Sequence, residues 1–279
     1  MDIFTVVLSS LKAIRKNPKF LLPAFFFVLF GVVVALILSA IFLNAIPGQV
    51  TASHQLYARI ALAITKLVPF AVLAGIIIFL AGIGVKGMYI DLCLNWKRFP
   101  KRPSLRKSFN VAVSRYKDLF VYEAIALAIE AAVALVILGP LIYVTQNSII
   151  YPYLNGIVIS GQSFIGFSLV ALMLIILYAI LAITVTILLW LGSSIVILDH
   201  SDAISALRES IRIGKAEWLK ILATLVLAYI VVAIALLVSR AFQIIPVIGI
   251  IISFIISIGI MTFIELVAPM YYIGFHKKK

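Results

Sequence analysis

Six long apolar runs divide this chain, and each is long enough to cross a lipid bilayer as a helix. The hydrocarbon core of a bilayer is about 30 Å thick, so a spanning helix needs roughly 20 mostly apolar residues. The alternating short segments of a transmembrane β-barrel are not seen in the sequence. The sequence therefore predicts an all-α integral membrane protein with six transmembrane helices. They are predicted at about 20–43, 68–94, 119–143, 166–190, 218–239 and 247–273.

Composition agrees with a membrane protein. Of the 279 residues, 65% are hydrophobic and 12% are charged, whereas a soluble domain carries about 25% charged residues. The single cysteine, Cys93, excludes an internal disulfide and a Cys-rich metal site, and its apolar surroundings predict a buried thiol. The three histidines are isolated in sequence, so we expect neither a metal site nor a cofactor.

The fourth apolar run, 164–198, is longer than a helix perpendicular to the membrane needs, which predicts a tilt, a bend near Gly192 or an extension into the interface.

The basic residues are distributed unevenly between the two sides of the predicted bundle. Four precede the first run, eight lie between the second and third, four lie around the fourth-to-fifth connection, and three end the chain. The opposite side has Arg59, Lys66 and Arg240. By the positive-inside rule, both termini are predicted to lie in the cytoplasm and the protein in the cytoplasmic (plasma) membrane. The net charge of +13 is thus a topology signal. No nucleic-acid partner is expected, because no basic–aromatic binding module is present.

A short amphipathic helix is predicted before the first, third and fifth runs, in 2–16, 103–117 and 201–215. Apolar residues recur at spacings of three and four, which places them on one helical face, while basic and hydroxyl residues occupy the other. Helices of this kind lie in the membrane surface with their cations toward the head groups. The three apolar faces consist of Phe4, Val7, Leu8, Leu11 and Ile14; Leu105, Phe109, Ala112, Val113 and Tyr116; and Ile204, Leu207 and Ile211.

These three helices predict a set of contacts with lipid, most favourably with anionic lipid. The candidate head-group contacts are Lys12, Arg15, Lys16, Arg106, Lys107, Arg208 and Arg212.

Each amphipathic helix precedes two spans, so the single membrane domain divides into three units, 1–95, 96–198 and 199–279. The sequence LRKS at 105–108 recurs as LRES at 207–210, which is compatible with an ancestral repeat. The alternative is that any six-span protein with both termini on one side contains three hairpins.

The stretch ALRESIRIGKAEWLKIL, 206–222, together with IPVIGIIIS at 245–253 and MYYIGF at 270–275, resembles a broad uncharacterised family of six-span membrane proteins. That family is typified by the membrane domain attached to some bacterial glycerophosphodiester phosphodiesterases, and it has many stand-alone relatives. The resemblance implies a fold and no reaction. The phosphodiesterase activity belongs to a separate soluble domain for which this chain has no room.

Four charged residues are predicted to lie within the membrane: Lys86, Glu123, Glu130 and Glu265. At about 1.5 Å of rise per residue, Glu123 lies about 8 Å from the cytoplasmic end of its span, and Lys86 and Glu265 lie about 12 Å from theirs. Lys86 is therefore expected to pair with Glu123 or Glu265. Such residues face a protein interior and mark functional sites by default, although hydrogen bonding between helices is the structural alternative.

Glu130, about 18 Å from the cytoplasmic end of its span, has no predicted cation at its depth. Because desolvation disfavours a charge, we expect it to be neutral and to donate to Tyr178, Thr184 or Thr186 on the fourth span.

These patterns predict a non-catalytic membrane scaffold or accessory protein that engages anionic lipid or a membrane-protein partner, including a second copy of itself. The alternative is a small ion- or solute-transport protein that uses Glu130, Glu123, Lys86 and Glu265. A membrane enzyme acting on lipid is the third reading, and it would need the surface carboxylates Asp91, Asp118, Asp199 and Asp202. No catalytic residues are predicted, since no nucleotide-binding loop, nucleophile elbow or metalloprotease motif is present.

Overall fold

The computed structural model describes residues 2–45, 53–98, 104–151 and 161–276, and regular structure within these ranges is helical. Lys101, Arg102 and Lys277 to Lys279, which contribute to the predicted orientation, lie outside them. A short 3₁₀ turn, Pro18–Phe20, precedes the second helix, and a π-helical turn, Gln146–Ile150, follows the fifth. Ten helices lie in the described ranges: α1 (Ile3–Lys16), α2 (Leu21–Ala45), α3 (Ser53–Arg98), α4 (Leu105–Ser114), α5 (Tyr116–Thr145), α6 (Gly161–Leu189), α7 (Gly192–Leu198), α8 (Ala203–Ala216), α9 (Trp218–Phe242) and α10 (Pro246–Phe275).

Six segments are long and apolar enough to cross a membrane, as in a multi-pass membrane protein. They confirm the six predicted spans to within several residues at most ends, and we number them one to six. Their bounds are Pro18–Leu43, Leu67–Lys97, Tyr116–Ser148, Ile165–Leu198, Trp218–Phe242 and Ile248–Phe275.

The even-numbered spans form the centre of the bundle. Span two (α3), the end of span four (α7) and span six (α10) contact one another. Each odd-numbered span lies between two even-numbered ones: α2 contacts α3 and α10, α5 contacts α3 and α6, and α9 contacts α10 and α6. The six spans thus form a ring that closes between the first and last helices of the bundle.

The three short helices repeat this pattern. Helix α4 packs on α3, α8 packs on α6 and α7, and α1 packs on α10, so each contacts an even-numbered span. Each buries one serine, and a second buried residue follows fourteen positions later. The pairs are Ser10 and Ala24, Ser108 and Tyr122, and Ser210 and Thr224. The spatial arrangement therefore repeats unit by unit, while a common ancestry of the units stays a prediction.

Fully buried side chains are concentrated at the end of the bundle where α4, α7 and α8 lie, called here the basic end. They include Tyr89, Cys93, Leu191, Ile195 and Leu266, so the predicted burial of Cys93 is confirmed. Toward the other end, large apolar side chains are mostly exposed, as expected where spans face lipid rather than protein. Examples of these exposed side chains are Leu36, Val136, Met173, Leu237 and Ile250.

Span four is broken, and this confirms the predicted bend near Gly192. Helix α6 ends at Leu189, and α7 begins at Gly192 and continues to Leu198. All seven residues of α7 are buried. The break places the start of a short helix, together with its hydroxyl side chains, inside the packed end of the bundle.

Candidate functional site

The three even-numbered spans enclose a cavity of about 140 Å³ at the basic end, called here the junction cavity. Each of these spans contributes at least one polar side chain to it: Lys86 from α3, Ser193 and Ser194 from α7, and Glu265 from α10. The remaining lining is apolar or aromatic and includes Trp190 at the break. A small polar cavity inside an apolar bundle is where intramembrane chemistry would be sought.

Lys86 forms an ion pair with Glu123, as predicted. Its Nζ donates to Oε1 of Glu123 at 2.6 Å, and the side chains are 34% and 16% exposed in the isolated chain. Ser193 Oγ donates to the same Oε1 at 2.5 Å. One carboxylate oxygen therefore joins span two, span three and the start of α7.

Glu265 is the second carboxylate of this cluster. It lines the junction cavity beside Lys86, and we find no hydrogen bond or ion pair to it within the described ranges. One ammonium group thus serves two carboxylates. If both carboxylates are ionised, the cluster carries one negative charge in excess, which a proton or a cation would neutralise.

The backbone of the break is satisfied by side chains from two other helices. Ser210 Oγ on α8 donates to the carbonyl of Leu188 at 2.8 Å, and Tyr122 OH on α5 donates to the carbonyl of Leu189. An unpaired carbonyl in an apolar environment costs several kcal/mol. The hydrogen bonds from Tyr122 and Ser210 therefore stabilise the break.

Glu130 does not join the cluster, and the expectation that it faces the protein interior is wrong. Its side chain is exposed and lines a separate cavity of about 170 Å³ between α5 and α6. Glu130 follows Glu123 by seven residues and therefore lies roughly 10 Å farther along α5. This position is beyond the packed end of the bundle, and α6 is its main neighbour there. Of the predicted neighbours, Tyr178 and Thr186 line the same cavity, whereas Thr184 donates to the carbonyl of Ile180 on its own helix.

Of the four carboxylates predicted at the surface, Asp91 is buried, and all four take part in contacts within the fold. Asp91 accepts from Ser108 at 2.6 Å and from Asn95 at 2.5 Å. Asp199 accepts from Tyr272, Asp118 lies 3.7 Å from Arg115, and Asp202 accepts from the backbone N–H of Ser205 at 3.1 Å as the N-cap of α8. The side chain and backbone N–H of Ser205 lower the pKa of Asp202.

Glu217, between α8 and α9, makes contacts that sequence reasoning missed. Tyr271 OH donates to its Oε2 at 2.7 Å, and His276 Nε2 lies 3.4 Å from the same atom. Partial burial opposes ionisation of Glu217, but the hydrogen bond from Tyr271 and the charges of His276 and Lys220 outweigh it and lower the pKa. The tyrosines of MYYIGF thus attach the end of span six to the link regions around α8. The sequence showed the carboxylates but not their tyrosine partners, because the two residues of each pair are more than fifty positions apart.

The candidate head-group residues are exposed, and they stand next to exposed apolar side chains. On α4, Arg106 and Lys107 neighbour Phe109, which is 54% exposed, and Val113, which is 56% exposed. Lys12, Arg15, Lys16 and Arg208 are likewise exposed. Arg212 differs, because it pairs with Glu209 at 2.5 Å on its own helix. The buried face of each helix consists largely of small residues, as at Ser10 and Ala13, which leaves larger apolar groups uncovered.

Comparison of the chain with family models, curated proteins and solved structures gives no match in any of the three. The resemblance to the six-span membrane-domain family stays a prediction.

Proposed function

We propose that the chain is a non-catalytic scaffold or accessory protein of the cytoplasmic membrane, with both termini in the cytoplasm, that engages anionic lipid through α1, α4 and α8. The observation that carries this proposal is the pairing of exposed apolar and exposed basic side chains on one short helix, clearest for Phe109 and Val113 beside Arg106 and Lys107 on α4. Apolar groups enter the acyl boundary, and basic groups bind the phosphates above it.

The packing of these helices supports the same proposal. Each is fixed to an even-numbered span through small buried residues, as at Ser108 and Ala112 on α4. Its large side chains are thereby held outward in a fixed orientation. Because a rigid helix loses little conformational entropy when lipid binds, little of the favourable binding free energy is offset.

The test is the composition of the lipid shell of the purified chain. The full chain is reconstituted in equimolar phosphatidylglycerol and phosphatidylcholine, extracted gently, and the retained lipid is quantified by mass spectrometry. We expect enrichment of phosphatidylglycerol that falls in a Lys12→Gln, Arg15→Gln, Lys16→Gln triple variant. Arg240→Gln, an exposed arginine at the far end of α9, is the matched control. Equal retention of both lipids by the wild-type chain would refute the proposal.

The exposed carboxyl of Glu130 supports a further part of the proposal, namely a membrane-protein partner or second copy against α5 and α6. A polar group facing acyl chains at this depth is unfavourable, and a partner helix that donates a hydrogen bond would cover it. Glu130→Leu is expected to weaken such an association and to leave the thermal stability of the separate chain unchanged.

A second candidate function is proton or cation transport at the junction cavity. It is favoured by the excess carboxylate of Glu265 and by the broken span, since discontinuous helices form ion sites in transporters. Proton flux into liposomes containing the wild-type chain would support it if Glu265→Gln abolished the flux and Glu130→Gln did not. No flux with the wild-type chain would leave the cluster with a structural role.

A further inference from the structure

An apolar groove of about 510 Å³ lies between α2, α3 and α4. Its volume falls within the roughly 300–1,000 Å³ of small-molecule sites. Phenylalanines of α2, the small and aliphatic side chains Ala81 and Val85 of α3, and Leu105 and Phe109 of α4 form its walls. Arg106 is the one charged side chain in its lining.

The groove has a direction that matches a lipid molecule in one leaflet. Arg106 and Leu105 belong to the basic end, and Leu22 and Met88 are the lining residues of α2 and α3 nearest to it. From there the lining continues to Phe30 on α2, eight residues and about 12 Å further. On α3 it continues to Ala81, seven residues and about 10 Å further. A charged group therefore stands at the interfacial end, and the apolar walls descend toward mid-membrane.

Arg106 is available to a ligand. Its side chain is exposed, and no carboxylate pairs with it among the residues that the structure describes. Its planar guanidinium binds phosphate oxygens with two parallel hydrogen bonds, a geometry that lysine lacks.

We infer that this groove binds one acyl chain of an anionic phospholipid, with the lipid phosphate held by Arg106. The inference rests on the proposed engagement of anionic lipid and assigns it one specific site. Charge complementarity at Arg106 selects the head group, and the apolar walls accept the chain.

A related groove provides an internal comparison. In the repeated arrangement, α1, α9 and α10 correspond to α4, α2 and α3, and they enclose an apolar groove of about 250 Å³. Its lining, which includes Leu11 and Ile14 of α1, has no charged side chain. This second groove is half as large and has no charged side chain that could bind a phosphate, so we expect it to bind lipid without head-group preference.

The test uses phosphatidylglycerol that carries a photoactivatable diazirine near the end of one acyl chain. The full chain is reconstituted with this probe, irradiated, and the labelled peptides are identified by mass spectrometry. We expect labelling in 22–30 of α2 or 81–88 of α3. The phosphatidylcholine probe with the same acyl chain keeps its phosphate but adds a choline cation. It should label these segments about fivefold less, since its head group has no net charge to attract Arg106.

Three variants decide the outcome. Arg106→Gln should lower phosphatidylglycerol labelling about fivefold, and Lys117→Gln, an exposed basic residue of α5 outside the groove lining, should not lower it. Ala81→Phe should abolish labelling by both probes by filling the groove. A thermal melt of each variant checks folding, and Arg106 is exposed, so its substitution tests the inference even if Ala81→Phe is unstable.

Equal labelling by the two probes, or undiminished labelling of Arg106→Gln, would overturn the groove assignment. The total enrichment of anionic lipid would then separate the two proposals. Enrichment that persists while Arg106→Gln has no effect leaves the proposed function standing and removes only this site.

Discussion

The ring of Tyr122 occupies the space into which a side chain at Gly192 would extend. A Cβ atom placed on Gly192 would overlap the ring of Tyr122, and Tyr122 is 1% exposed. The same tyrosine donates its hydroxyl proton to the carbonyl of Leu189. The side chain of Tyr122 and the absence of a side chain at Gly192 therefore fix both the break in span four and the position of span three beside it.

We predict that Gly192→Ala lowers the free energy of unfolding by about 3 kcal/mol, the upper range for overpacking a core. The measurement is thermal or denaturant unfolding of the purified chain in detergent. Gly166→Ala, on the same span with nothing within 4 Å of its Cβ position, should be neutral or slightly stabilising.

The contact can be isolated by a double-mutant cycle with Tyr122→Leu. Because the smaller side chain vacates the space, Gly192→Ala should cost less in that background. Additive losses would mean that the clash at Tyr122 is not the cause.

The Lys86–Glu123 pair leads to a second prediction. Lys86→Met and Glu123→Gln should each lower the free energy of unfolding by about 3 kcal/mol, since each leaves a charge without its partner. Lys86→Met should be the more harmful, because both Glu123 and Glu265 then lose their cation. The double variant should be less unstable than the sum of the two, as measured by the same unfolding assay. A strictly additive double variant would contradict the pairing.

Glu217 leads to a prediction about pH. Its folded-state pKa is lowered, so its contribution to stability is fully present above the ordinary glutamate pKa of about 4.3. That contribution declines as the pH falls through this value toward the lower folded-state pKa, because the folded state must then take up a proton it disfavours. Melting temperatures of the wild type and Glu217→Gln should therefore differ at pH 6 and converge below about pH 4. Glu209→Gln, which alters an exposed pair on α8, should show no such convergence.

The proposed orientation is open to a direct test with introduced cysteines. Cys93 is buried, so the background labelling of the chain by a membrane-impermeant maleimide should be low. Arg240→Cys should be labelled on intact cells, and Lys12→Cys should be labelled only after the membrane is opened. Labelling of Lys12→Cys on intact cells, with Arg240→Cys labelled only after the membrane is opened, would show the opposite topology.

Much of the fold was predictable because a bilayer reduces the choices. Run length predicted the spans, and the excess length of 164–198 predicted a tilt, a bend near Gly192 or an extension into the interface, of which the structure shows the interruption at Gly192. Depth limited the expected partners of Lys86 to Glu123 and Glu265 without choosing between them, and the structure shows the pair with Glu123. Glu130 shows the limit of this reasoning. Depth says nothing about which side of a helix meets protein, and seven-residue spacing from a buried carboxylate did not bury Glu130.

The contacts that hold the break were not predictable from sequence. Tyr122 and Ser210 bind carbonyls of span four from two different helices, and lateral arrangement of spans leaves no periodic signal. The structure also buries Ser193 against Glu123, a contact between two spans that has no periodic signal in the sequence. The recurrence of LRKS as LRES places Ser108 and Ser210 at equivalent positions, although Ser108 donates to Asp91 and Ser210 donates to the carbonyl of Leu188.

The broken span has a consequence for how the protein is made. When span four first enters the bilayer as a separate segment, neither Tyr122 nor Ser210 has yet docked beside it, and an interrupted helix would leave the carbonyls of Leu188 and Leu189 unpaired in lipid. A continuous helix is the lower-energy form at that stage. The interruption is therefore stable only where Tyr122 of span three and Ser210 of α8 are packed beside span four.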